Sequence, residues 1–152
     1  MKTTVIVIGI DPGKNGGIAV IGDYGTYVNK MPDTLQDLWD MIEEISIGDG
    51  HDSEPSLCRA YIEQIHSSPQ MGVVSAFTFG NGFGHLEMAL TAAGIPFERV
   101  RPQVWQKALG CMTKGDKNIT KAKAQEMFPS LKVTHATADA LLIAEYGKRQ
   151  NI

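Results

Sequence analysis

The apolar positions of this chain change period several times, and each change marks an element. Residues 4–10 (TVIVIGI) form an apolar run that ends on Asp11 and reads as a buried strand. Residues 17–22 (GIAVIG) and 25–30 (GTYVNK) read as two more strands, with GDYG as the hairpin turn between them, so the fold opens with consecutive antiparallel strands. From Asp33 the spacing turns helical: Leu35, Leu38, Trp39, Ile42 and Ile45 share a face, with Thr34 or Asp33 as the cap. Residues 48–55 read as a loop and the stretch 56–65 (SLCRAYIEQI) as a strand reaching Glu63. A helical stretch runs from about Met71 to Ala93, with GNGFG at 80–84 as an interruption, and IPFERV at 95–100 is the last strand. Pro102 opens a short helix, 111–118 is a loop, 119–128 is helical up to Pro129, and the final helix begins near Thr134. Its core face takes Ala138, Leu141, Leu142 and Ala144 to Tyr146. The order β-β-β-α-β-α-β-α predicts an α/β fold, a mixed sheet with helices packed on its faces.

At 152 residues the chain is one domain's worth, 1–152, with no repeat or linker. No apolar run approaches the ~20 residues needed to span a bilayer, and the amino terminus lacks the pattern of a signal peptide, so a membrane partner is not expected and a cytoplasmic location is. The two cysteines, Cys58 and Cys111, lack CxxC spacing, which argues against a zinc cluster or disulfide framework and suits a reducing compartment. The net charge of −3 hides a division. Seven of the fourteen Lys and Arg residues lie between Arg99 and Lys123, where only Asp116 is acidic; eight of the seventeen acids lie between Asp33 and Glu54, where no Lys or Arg occurs. Such a chain can offer a basic face to a polyanion and keep an acidic face in water; solvated surface runs would give the same pattern.

Three carboxylates occupy unusual places. Asp11 ends the first strand, Glu63 ends a later one, and Asp139 lies on the last helix inside TADALLIA. A lone helical acid is usually a satisfied surface residue. Beside Ala138, Ala140, Leu141 and Leu142, however, an anion costs several kcal/mol unless something cationic offsets it. A hard divalent ion such as Mg²⁺ takes oxygen ligands, and strand-end carboxylates closed by a helix carboxylate suit one or two such ions held against a phosphate. His135, four residues before Asp139, projects from the same helix face; it reads as a capping or surface histidine, or as a metal ligand or proton carrier. His51 and His85 carry no signal. The turn DPGKNGG could also cradle a nucleotide phosphate, but it lacks the GxxxxGK[ST] pattern, and a strand follows it rather than a helix.

In four places, GIDPG (9–13), YIEQI (61–65), PQVWQKALG (102–110) and TADALLIAEYG (137–147), the chain resembles the RuvC-type Holliday junction resolvases of the RNase H-like superfamily, especially the short bacteriophage-encoded versions. The resemblance implies an RNase H-like mixed five-stranded sheet flanked by helices on both faces. It also implies a homodimer and a pair of active sites, each with two Mg²⁺ or Mn²⁺ ions, that nick opposed strands of a four-way DNA junction and leave a 5′-phosphate and a 3′-hydroxyl. By the same resemblance, Asp11 would be shared by both metals, with Glu63 and Asp139 as further ligands. Many members carry a fourth acid one turn before that aspartate; here the position is Ala136 and the nearest candidate is His135, as though an imidazole replaces the carboxylate. The family's wedge residue, often aromatic, corresponds to His66, and Gln64, two residues before it, would also contact DNA. Arg101, Lys107, Lys114, Lys117, Lys121 and Lys123 would contact phosphates, with Lys117 or Lys114 near the scissile bond, and Asn81 would touch DNA from the glycine-containing helix, which also makes the dimer contact.

Two other classes compete. Sugar-kinase and Hsp70-like ATPases also use a strand-end GIDxG turn, but they enclose ATP between two lobes. A non-catalytic junction-binding protein would fit the missing fourth acid.

Overall fold

A computed structural model describes residues 5–48 and 57–151. The expected loop at 49–55 and His51 lie outside the described residues. Five strands form one mixed sheet: β1 (Val5–Asp11), β2 (Gly17–Gly22), β3 (Gly25–Lys30), β4 (Leu57–Glu63) and β5 (Phe97–Val100), in the order β3-β2-β1-β4-β5. The first three pair antiparallel, and β4 lies parallel to both β1 and β5. Among the described residues five helices accompany the sheet: α1 (Leu35–Ile47), α2 (Val73–Ala92), α3 (Pro102–Leu109), α4 (Lys117–Met127) and α5 (His135–Gln150).

The period-two alternation of β1 explains the layering. Ile8 and Ile10 face a core shared with Leu38, Ile42 and Ile45 of α1 and Leu86 and Leu90 of α2. Val7 faces the opposite core, built with Trp105 of α3, Ala124 of α4 and residues 140–144 of α5. The sheet is thus sandwiched between α1 and α2 on one side and α3, α4 and α5 on the other. Both cysteines are free and buried.

Two expectations are corrected. Helix α2 runs unbroken through GNGFG at 80–84. Each glycine weakens a helix by about 1 kcal/mol, but Leu86 and Leu90 anchor its carboxyl half in the core. Helix α4 begins at Lys117, two residues before the expected start, because the Asp116 side chain caps it by accepting from the Asn118 backbone N–H at 2.9 Å. Among the described residues no helix is long and apolar enough to cross a membrane.

Candidate active site

Strand register brings the first two carboxylates together. In the parallel β1–β4 ladder Gly9 pairs with Tyr61 and Ile10 with Ile62, so one further step sets Asp11 beside Glu63 at the carboxyl ends of both strands. Alternation turns Asp11 to the same face as Val7, and Glu63 to the same face as Tyr61, which is the face covered by α5.

Helix α5 reaches that face because glycines let it come close. A Cβ at Gly9 would stand 2.8 Å from Ala144 Cα and closer still to the Ala140 carbonyl oxygen. One at Gly17 would stand 2.8 Å from the Ala136 carbonyl oxygen. Gly17 pairs with Asp11 across β1 and β2, so the first turns of α5, with Asp139, lie over the end of β1. Thr134 and Thr137 fix that start through a reciprocal capping box.

The three acids act on one another. Burial, reinforced by the charges of Glu63 and then Asp139, pushes the Asp11 carboxyl up to about 8, with Lys117 opposing. Burial pushes Glu63 up to about 7 against the pull of the Trp105 indole, while Asp139 raises it further and Lys117 lowers it. Asp139 is raised chiefly by burial and drawn back by the Thr120 hydroxyl, Lys117 and His135. Lys117, at the first position of α4, is therefore the cation common to all three acids. Trp105 Nε1–H donates to Glu63 Oε2 at 2.8 Å, from a side chain that is fully buried.

The other expected residues distribute around this centre. His135 is the exposed first residue of α5. Gln64 is half-buried, and its backbone N–H donates to the Val100 carbonyl at 2.8 Å. His66 is exposed in the segment after β4, and Asn81 is exposed on α2. Arg101 precedes α3 and Lys107 occupies its last turn, both exposed. Lys114 is exposed in the loop before α4 with φ of 48°, while Lys121 and Lys123 are half-buried on α4. Arg99, in the same basic run, is instead tied to α2: its guanidinium donates twice to Glu87 and stands over the Phe83 ring.

Trp105 and Thr120 were given no role by sequence reasoning. Trp105 stood inside the PQVWQKALG motif, and the available signal was its indole, since a buried Trp N–H usually requires an acceptor. Thr120 carried no comparable signal.

The glycine turn is filled from within. A Cβ at Gly16 would meet the backbone of Asp11, and one at Gly13, where φ is 102°, would lie 3.0 Å from the Phe79 ring of α2. These close approaches are what require glycine at both positions. Among the described residues no three His, Cys, Asp or Glu side chains are already closed around one ion position. The chemistry of the donor set nonetheless fits a hard divalent cation: three carboxylates, each raised chiefly by burial, are relieved by positive charge.

Sheet order and helix layers match the RNase H-like fold of RuvC. A structure of Thermus thermophilus RuvC aligns over 96% of both chains at 20% identity with a TM-score of 0.63. A second, of T. thermophilus RuvC in complex with a Holliday junction substrate, aligns over 96% of both chains at 20% identity with a TM-score of 0.59. No protein-family model and no curated protein matches the sequence.

Proposed function

We propose that this protein is a metal-dependent, structure-selective endodeoxyribonuclease that resolves four-way DNA junctions by paired nicks. The observation that carries the reading is the meeting of Asp11, Glu63 and Asp139 at the ends of two parallel strands, under one lysine. The likeness to a RuvC structure holding a Holliday junction supports branched DNA as the substrate class.

Asp11, Glu63 and Asp139 would hold Mg²⁺ or Mn²⁺, with two ions per site. Such ions, when bound, supply Lewis-acid activation of water and neutralise charge on the phosphodiester. Lys117 sets a positive charge against the same phosphate. His135, one turn before Asp139, either adds a nitrogen donor or carries a proton. Arg101, Lys107, Lys114, Lys121 and Lys123 position the backbone without reading sequence, and Gln64, His66 and Asn81 meet DNA from the β4 and α2 side.

Cutting two strands requires two centres, and one chain brings one such set of acids, so the working unit is a homodimer. The outward face of α2 supports this: Val73, Val74, Phe77 and Met88 are exposed there, and a Cβ at Gly80 or Gly84 would meet open space.

The test is cleavage of a synthetic four-way junction with and without Mg²⁺. Wild type should nick opposed strands only with the metal, and Asp11→Asn should bind the junction without cutting it. Equal cleavage by both proteins overturns the site. Binding without cleavage by wild type in both Mg²⁺ and Mn²⁺ would favour a non-catalytic junction-binding protein.

A further inference from the structure

Glu63 belongs to the acidic centre, yet one of its oxygens is already engaged from the core side. Trp105 is wholly buried among the side chains of the α3–α4–α5 layer, so its ring cannot rotate without repacking Leu141, Leu142 and their neighbours. Its Nε1–H donates to Glu63 Oε2 at 2.8 Å, within the ordinary range for a side-chain hydrogen bond. The donor comes from a helix 42 residues further along the chain, so the contact ties β4 to α3 at the point where β4 ends.

We infer that Trp105 is a positioning residue for metal binding: its indole holds Oε2 and fixes the orientation of the carboxylate that would ligate a divalent cation. This rests on the proposed nuclease reading for the identity of the centre, though not for the contact itself. A ligand carboxylate fixed by an outer hydrogen bond typically loses 10–100-fold in metal affinity when that bond is removed.

Two measurements test the inference. In wild-type protein the two indole N–H resonances, assigned with Trp39→Phe, are followed by ¹⁵N NMR during Mg²⁺ addition. The Trp105 signal should move and the Trp39 signal should not; a stationary Trp105 signal overturns the inference, and this holds even if no Trp105 variant folds. In Trp105→Phe, which keeps the ring and loses the donor, Mn²⁺ binding measured by calorimetry should weaken about tenfold. Half-maximal cleavage should then need correspondingly more Mn²⁺, with KM for the junction unchanged. A folded Trp105→Phe with wild-type Mn²⁺ affinity overturns it. If wild type binds metal with a shifted Trp105 signal but cuts no junction, the nuclease reading fails and the Trp105–Glu63 relation stands.

Discussion

Gly9 lies directly beneath Ala140, so close that a side chain at residue 9 would overlap the helix backbone. The contact sets the height of α5 above β1 and therefore the distance from Asp139 to Asp11. Gly9→Ala must lift the helix or bend the strand, and overpacking of this kind costs about 3 kcal/mol. Chemical denaturation should show that loss. In whatever folded protein remains, junction cleavage should fall further than stability alone explains.

The acids make a distinct pH dependence. A carboxyl with a folded value of about 8 (Asp11) or about 7 (Glu63), against about 4 in the unfolded chain, binds more protons folded than unfolded. Its contribution is fully present below the unfolded value and is lost as pH rises through the folded one. Metal-free protein should therefore lose on the order of a few kcal/mol between pH 5 and pH 8.5. Mg²⁺ should restore most of it at the alkaline end, and Asp11→Asn should flatten the metal-free curve. Melting temperatures across that range, with and without Mg²⁺, check all three outcomes.

Lys117 differs from the other lysines because all three acids feel it. Lys117→Gln should lower kcat about 100-fold, as loss of one charge-stabilising donor at a reacting centre does. Lys107→Gln should instead leave kcat alone and reduce the salt dependence of junction binding by about one unit of slope. Single-turnover cleavage and binding titrations at several salt concentrations separate the two behaviours.

The exposed face of α2 predicts its own phenotype. Phe77→Lys sets a charge where a second copy would pack, and sedimentation should move from dimer to monomer. The monomer should retain Mg²⁺ binding while losing paired nicking. A variant that stays dimeric removes α2 from the interface.

Much of the fold was legible because local pattern and tertiary role coincide. Strands β2 and β3 begin and end where their apolar runs and the GDYG turn set them, and Asp11 stood out as a polar end to an apolar run. Helix α2 continues where its glycines predict a break because glycine propensity is a local quantity, whereas Leu86 and Leu90 hold the helix in the core shared with α1 and the sheet. The partnership of Trp105 with Glu63 was not legible, since it depends on how α3 is set against β4 rather than on any spacing. Lys117 was visible as one of several lysines; only the placement of α4 distinguishes it from Lys114.

The division of charge acquires a direction once the sheet is in place. Asp37, Asp40, Glu43 and Glu44 lie on α1, on the opposite side of the sheet from the lysines of α3 and α4. These α1 acids and the α3 and α4 lysines therefore set opposite charges on the two helix layers, with the acidic centre on the lysine side. A polyanion arriving from the α1 side is repelled and one arriving from the α4 side is drawn in, so collisions are sorted by orientation before any contact forms.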